Sequence, residues 1–163
     1  MYSTLLRVRV SIRVRPGAGQ TRVGGERREC TVPVLATIAL GGSLGGLARY
    51  GLELAFPAQP GRVPWGTFTA NVVGCLLIGV LMVLITEVWS PHRLVRPFLG
   101  VGLLGGFTTF STYAVEVRDL LVPGSAPLAL GYLASTLLSC LVATVTAVAL
   151  TRLATRAIRE RRR

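Results

Sequence analysis

The chain is 163 residues long, 51% of them hydrophobic, with a formal net charge of +11 and a mean hydropathy of +0.58. This hydropathy is high for a soluble protein and points to a membrane protein of one domain. The positive charge does not form a basic face interleaved with aromatic residues, so the pattern argues against nucleic-acid binding.

The first segment of the chain, residues 1–33, alternates arginine with valine and isoleucine before a glycine-rich stretch. We expect this basic extension to be disordered, and an over-long translation start is an alternative explanation for it. It has no apolar core before a cleavage site, so it does not resemble a secretory signal.

Four apolar segments follow, each long enough for the roughly 20 residues of helix that cross a bilayer. They predict an all-α membrane domain of four transmembrane helices over residues 34–151. The spans lie approximately at residues 34–56, 66–89, 97–117 and 126–151. Short connections containing proline or glycine join them, and an Arg-rich tail follows at residues 152–163.

The distribution of arginine predicts how the chain is oriented. All 18 basic residues are arginine. Seven lie in the first 28 residues, six in the last 12 and two in the second connection, against two beside spans on the other side, and Arg49 lies within the first span. The positive-inside rule therefore places both termini in the cytoplasm of a multi-pass cell-membrane protein. We expect the Arg-rich tail to contact anionic lipid head groups.

The third span contains the most informative stretch of the chain, the run GGFTTFSTY at residues 105–113. Its two glycines and four serine or threonine residues predict a helix that breaks near the middle of the membrane. Non-helical backbone is tolerated at that depth only where protein or water covers it. Such breaks commonly build ion and substrate sites from freed backbone groups. Close helix packing through small residues is the alternative explanation.

Two other spans carry polar residues at helical spacing. Thr67, Asn71 and Gly74 share one face of the second span, where the two amide donors of the asparagine suit an anion and an interhelical hydrogen bond is the alternative. A polar stripe in the fourth span consists of Tyr132, Ser135, Thr136, Ser139 and Cys140. Ser and Thr often bond back to their own helix, so the stripe alone is weak evidence for a ligand path.

The spans carry no carboxylate at mid-membrane depth to exchange protons or attract a cation. Arg49 and Glu53 lie one helical turn apart near the end of the first span, where pairing explains them. Phe110 and Tyr113 are three residues apart, so a resumed helix would place both rings on one face. The positive edges of such rings suit a small anion, with aromatic core packing as the alternative. This lining favours an anion or a neutral solute.

The remaining reactive residues give no support to enzymatic activity. Cys30, Cys75 and Cys140 are widely spaced and match neither a zinc site nor a redox motif. The single histidine, His92, lies in a connection. No set of residues resembles a catalytic triad, a nucleotide-binding loop or a metal cluster.

Three motifs, in order and at matching intervals, resemble those of the fluoride-specific ion channels of the Fluc family, also called CrcB proteins. The first span reads GGSLGGLARYG from Gly41, similar to a glycine-rich segment that ends in Arg-Tyr. The second span begins GTFTANVVG from Gly66, and the third contains GVGLLGGFTTFSTYAVE from Gly100. The resemblance covers approximately residues 35–150.

The resemblance implies an antiparallel dimer with two fluoride pores and passive export of cytoplasmic fluoride. It also implies a structural sodium ion (Na+) at the dimer centre, held by backbone carbonyls at the positions of Gly105 and Thr108. Arg49 and Glu116 match family positions near the vestibules or in structural pairing. The implied fluoride pathway uses Thr67, Asn71, Phe110, Ser111, Thr112, Tyr113, Tyr132 and Thr136.

Two features depart from the family pattern. Tyr113 stands where the family usually has a second phenylalanine, and its hydroxyl could donate to the ion or obstruct the path. The arginine asymmetry is large for a chain that must insert both ways to form an antiparallel homodimer. It suggests a heterodimer with an oppositely inserted paralogue, and the homodimer stays open as the alternative.

Two other functions fit a chain of this size. Small four-helix proton-coupled drug exporters also form antiparallel dimers, but they depend on an acidic residue deep in the first span. Here the nearest acid, Glu53, lies close to the end of that span. A non-transporting membrane scaffold built on glycine packing is the other alternative, and it would tolerate the loss of Asn71 or Phe110.

Overall fold

The computed structural model describes the backbone of residues 23–88, 92–121 and 126–161, with side chains from residue 32 to residue 160 of these ranges. The described residues form helices and connections, with no strand among them. In chain order the helices are α1 (Val23–Ala55), α2 (Trp65–Val83, continued by a π-helical turn over Leu84–Val88), α3 (π-helical over Pro97–Leu104 and α-helical over Gly105–Phe107), α4 (Ser111–Leu120) and α5 (Ala126–Arg161).

Four stretches are long and apolar enough to cross a membrane, which confirms the predicted all-α architecture with four membrane-capable helices. They are Val32–Ala55, Trp65–Val88, Pro97–Leu120 and Ala126–Glu160. The starts of all four agree with the predicted spans within two residues. The chain is therefore a multi-pass membrane protein.

The first helix begins before residue 34, where the sequence places the first span, and the last helix continues into the Arg-rich tail. Residues 1–22 lie outside the described residues, but the backbone is helical from Val23, where disorder was predicted up to residue 33. At the other end α5 continues through the Arg-rich tail to Arg161. Extending an existing helix costs far less than starting one, because each added residue gains a hydrogen bond.

Prolines and one glycine define the connection between α1 and α2. α1 ends at Ala55, two residues before Pro57, which restricts the residue that precedes it to extended conformations. Gly61 has a φ of 72°, a left-handed conformation that glycine adopts without a steric penalty. Pro64 then lies directly before α2.

α1 and α3 touch through their backbones along a row of glycines. A methyl group on Gly45 would overlap the carbonyl oxygen of Leu103, and one on Gly102 would lie 2.8 Å from the carbonyl oxygen of Ile38. Such close contact maximises van der Waals packing, which drives helix association in lipid. We call this contact the glycine seam, and it consists of Gly41 and Gly45 on α1 with Gly102 and Gly106 on α3.

α2 and α5 also approach closely. A methyl group on Gly79 would lie 2.8 Å from both the carbonyl oxygen of Thr144 and the Cβ of Ala147. The hydroxyl of Thr144 lies 3.2 Å from the carbonyl oxygen of Cys75 and 3.0 Å from that of Cys140. The thiols of Cys75 and Cys140 are free and half-buried, and the side chain of Cys30 lies outside the described residues.

Candidate functional site

The junction between α3 and α4 is where the polar residues of the third span meet. α3 ends at Phe107, Thr108 is extended with φ −87° and ψ 153°, and α4 begins at Ser111. The residues from Thr108 to Phe110 therefore lie between two helical pieces of one membrane-capable segment. Their backbone groups need partners other than the usual helical ones.

Asn71 of α2 supplies two of these partners. Its Nδ2 donates to the carbonyl oxygen of Thr109 at 2.9 Å, and its Oδ1 accepts from the amide of Thr109 at 2.9 Å. The asparagine, which is 8% exposed, thus binds both backbone groups of one residue. An amide nitrogen carries two hydrogens, so one Nδ2 hydrogen remains for another partner.

The other residues of the predicted polar face of α2 also contact the third span. The hydroxyl of Thr67 donates to Oε1 of Glu116 at 2.7 Å. Gly74 leaves room for Thr108, whose Cγ2 a methyl group at this position would overlap. The expectation that Thr67, Asn71 and Gly74 share one face is therefore confirmed.

Hydroxyl groups at the start of α4 form a small chain. Oγ1 of Thr109 accepts from the amide of Thr112 at 3.2 Å, donates to Oγ1 of Thr112 at 3.0 Å and lies 3.3 Å from Oγ of Ser111. Because the Thr112 oxygen accepts here, its own hydroxyl hydrogen is available to a further acceptor.

Glu116 joins three helices. Its Oε1 accepts from Thr67 of α2, and its Oε2 accepts from the hydroxyl of Tyr132 of α5 at 2.8 Å. Glu116, Thr67 and Thr112 line a cavity of about 170 Å³. The cavity lies at the end of the bundle that carries the α1–α2 connection, from which Phe56, Ala58 and Pro64 also line it.

Tyr113 directs its hydroxyl away from this cavity. The side chain is 4% exposed, and its hydroxyl donates to the carbonyl oxygen of Leu133 on α5 at 2.8 Å. In this arrangement the hydroxyl hydrogen of Tyr113 is used within the chain.

Aromatic rings form a row beside the junction. The ring centres of Phe110 and Tyr113 are 5.9 Å apart, and those of Tyr113 and Tyr132 are 5.4 Å apart. Phe110 and Tyr113 thus lie together, as their spacing predicts. Phe110 is 75% exposed in the single chain, whereas both tyrosines are buried.

The remaining predicted residues mostly bond locally. The hydroxyl of Thr136 is buried and donates to the carbonyl oxygen of Tyr132 at 2.7 Å, four residues back in α5. Nη1 of Arg49 pairs with Oε1 of Glu53 at 2.9 Å, which confirms the predicted pairing. Nε of Arg49 also lies 3.4 Å from the carbonyl oxygen of Gly106 on α3.

Two participants of the site were not predicted. Thr109 was not a candidate, although a threonine whose oxygen accepts an amide three residues on follows the N-cap pattern. The carbonyl oxygen of Leu133 lies within a regular helix, and no sequence pattern indicates that such a group receives a tyrosine hydroxyl.

Comparisons with known proteins agree on one family. A family model described as CrcB-like protein, Camphor Resistance (CrcB), matches residues 36–148. The chain is 57% identical over 127 residues to the fluoride-specific ion channel FluC 2 of Nocardia farcinica, which covers 78% of this chain and 91% of the relative. It is also similar to two proteins of Streptomyces avermitilis. The identity to FluC 2 is 61% over 105 residues, which are 64% of this chain and 66% of the relative. The identity to FluC 3 is 47% over 121 residues, which are 74% of this chain and 59% of the relative.

Proposed function

The chain belongs to the CrcB family, and we propose that it is a fluoride-specific ion channel rather than an enzyme. It lets cytoplasmic fluoride leave passively, down its electrochemical gradient. Hydrofluoric acid enters as a neutral molecule and dissociates at cytoplasmic pH, so a passive path for the anion lowers fluoride toxicity. The relatives named as fluoride-specific ion channels support this proposal.

The observation that carries the proposal is a set of polar side chains inside the spans, which we call the polar column: Asn71, Thr112, Thr67 and Glu116. Polar groups within a membrane are costly and mark ligand paths. Two donors in the column are available to an anion, namely the second Nδ2 hydrogen of Asn71 and the hydroxyl hydrogen of Thr112. The hydroxyl groups of Thr67 and Tyr132 already donate their hydrogens to Glu116 and are not available to the anion.

Aromatic ring edges complete the proposed path. Phe110 and Tyr113 present rings beside the junction, and the hydrogens at a ring edge carry partial positive charge. These groups attract a small anion weakly, without the full charge of an arginine or lysine. Conduction needs such a balance, because an ion that binds too tightly does not leave.

We also propose that the third span is a helix broken near the middle of the membrane and that the break holds a structural sodium ion. The carbonyl oxygens of Gly105 and Thr108 would hold it. The amides four residues further on, which bond these carbonyls in a regular helix, bond Asn71 and Thr109 instead. Free carbonyls in unwound backbone are suitable ligands for sodium, which supplies a fixed positive charge when bound.

An antiparallel dimer, with both termini of this chain in the cytoplasm, is the proposed assembly. In such a dimer a second subunit would cover the ring of Phe110, which is 75% exposed in the single chain and lies beside the junction of α3 and α4. The arginine asymmetry favours pairing with an oppositely inserted paralogue over a homodimer. Two numbered FluC proteins occur in one Streptomyces, so related chains do coexist in one organism.

Reconstituted liposomes test the function. We expect the purified protein to release trapped fluoride, but not chloride, without a proton gradient, as read by ion-selective electrodes. Asn71→Ala should slow fluoride release more than tenfold, because two hydrogen bonds of about 1 kcal/mol each and an ion donor are lost. Thr144→Val, which removes a hydroxyl at the α2–α5 contact outside the polar column, should change the rate less than about twofold.

Three results would contradict the proposal. Release that requires a proton gradient would favour the drug exporter, and equal release of chloride would refute fluoride specificity. Full release from Asn71→Ala would refute the polar column. Robust release from the chain expressed alone would leave the channel intact but refute the need for a paralogue.

A further inference from the structure

We propose that Thr109 is the positioning residue that keeps the carbonyl oxygens of Gly105 and Thr108 open for the cation. This inference rests on the proposed function, because it concerns the sodium site of that channel. Thr109 does not offer its own side chain to the ion. It acts through its backbone and its hydroxyl, each of which withholds an amide from one of the two carbonyls.

The backbone amide of Thr109 leaves the carbonyl oxygen of Gly105 without its usual helical donor. In an uninterrupted helix this amide would donate to the carbonyl oxygen of Gly105, four residues back. Here it donates to Oδ1 of Asn71 at 2.9 Å, while Nδ2 of Asn71 binds the carbonyl of the same residue at 2.9 Å. The two bonds hold the peptide groups of Thr109 against α2. The amide of Thr109 is therefore not available to the carbonyl oxygen of Gly105.

The hydroxyl of Thr109 leaves the carbonyl oxygen of Thr108 without its usual helical donor. In an uninterrupted helix the amide of Thr112 would donate to the oxygen of Thr108. Oγ1 of Thr109 accepts that amide at 3.2 Å, in the manner of an N-cap side chain at the start of α4. The extended backbone of Thr108, with ψ 153°, is consistent with a carbonyl that has left the helical direction.

Two neighbouring carbonyls of the third span already have donors. The oxygen of Gly106 receives Nε of Arg49 at 3.4 Å, and the oxygen of Leu104 receives both the amide and the hydroxyl of Thr108 at 3.0 Å. Neither the amide of Thr109 nor the amide of Thr112 occupies the oxygens of Gly105 and Thr108, so both oxygens are open to a ligand. Open oxygens on unwound backbone suit a hard monovalent cation such as sodium.

A pair of substitutions at Thr109 separates the effect of the hydroxyl group from the effect of side-chain size. Thr109→Val keeps the shape but removes the oxygen, so the amide of Thr112 is free to close on the oxygen of Thr108. Thr109→Ser keeps the oxygen and serves as the matched control. The readout is the melting temperature of the full-length protein in detergent, titrated with sodium chloride against N-methylglucamine chloride at constant ionic strength.

We expect sodium to raise the melting temperature of the wild type and of Thr109→Ser at similar concentrations. Thr109→Val should need at least about fivefold more sodium, the factor that corresponds to one lost hydrogen bond. If Thr109→Val does not fold, Thr109→Ala removes the same oxygen without adding an apolar methyl group. Asn71→Leu frees the amide of Thr109 and should weaken the sodium response as well.

An unchanged sodium response in Thr109→Val or Thr109→Ala would overturn the inference, and so would an equal loss in Thr109→Ser. A wild type that releases fluoride but shows no sodium response would refute the cation site and this inference with it. A sodium response that depends on Thr109, in a protein that releases no fluoride, would refute the channel and support the inference.

Discussion

The two halves of the third span are held in the bundle by different forces. α3 lies against α1 along the glycine seam, where backbone meets backbone. α4 lies against α2 and α5 through side-chain hydrogen bonds, of which those of Glu116 and Tyr113 are examples. The first half is thus held by close backbone contact, and the glycines of the seam leave no room for an added methyl group. The second half is held by particular polar atoms and is sensitive to their removal.

The largest effect is expected from adding one methyl group to the seam. Gly45→Ala places its Cβ onto the carbonyl oxygen of Leu103 and 2.8 Å from the amide nitrogen of Phe107. These are backbone atoms, so α1 and α3 must move apart. We expect a loss of about 3 kcal/mol or a failure to fold. The measurements are the yield of monodisperse protein in detergent and its melting temperature.

Gly46→Ala is the matched control for the seam. It adds the same methyl group one residue further along α1, where no described atom of a neighbouring element lies within 4 Å of it. We expect its stability to stay within about 0.5 kcal/mol of the wild type. Equal losses from the two substitutions would show that close backbone contact is not what holds α3 against α1.

Much of the bundle was predictable because it depends on local patterns. Four apolar stretches of membrane length have a strong signal. The pairing of Arg49 with Glu53 and the shared face of Thr67 and Asn71 follow from helical spacing alone. The early start of α1 was not predicted, because helix propagation into a basic, glycine-containing segment has a weak sequence signal.

The bonds that shape the site were less predictable because they join distant parts of the chain. Asn71 and Thr109 are 38 residues apart, and Tyr113 and Leu133 are 20 apart. Both contacts use a backbone group, which every residue carries, so residue type does not reveal it. The sequence therefore indicated that Asn71 is important but not that it binds the backbone of the third span.

Removing the tyrosine hydroxyl tests the half held by polar atoms. Tyr113→Phe keeps the ring and loses only the hydrogen bond to the carbonyl oxygen of Leu133. We expect a stability loss of about 1 kcal/mol, the typical net value of such a bond. The melting temperature in detergent reports this loss. Fluoride release should change less than about twofold, because the hydroxyl points to α5 rather than to the polar column.

Tyr50→Phe is the control for that substitution, since Tyr50 is 57% exposed and should lose almost no stability. Release that rises severalfold in Tyr113→Phe would mean that the hydroxyl obstructs the path. Release that falls more than tenfold, with stability preserved, would mean that it donates to the ion. Either result would contradict the prediction that the hydroxyl of Tyr113 serves only to link α4 to α5.

The smallest effect is expected at a polar contact outside the third span, because the side chains of this contact are exposed. Nε of Arg152 on α5 lies 2.7 Å from Oε1 of Glu87 at the end of α2, with side chains that are 51% and 40% exposed. Exposed ion pairs gain little, because water and salt screen them. Arg152→Gln should therefore lower the free energy of unfolding by no more than about 0.5 kcal/mol. A double-mutant cycle with Glu87→Gln isolates the pair, and a coupling above about 2 kcal/mol would mean that polar contacts hold this bundle even where they are exposed.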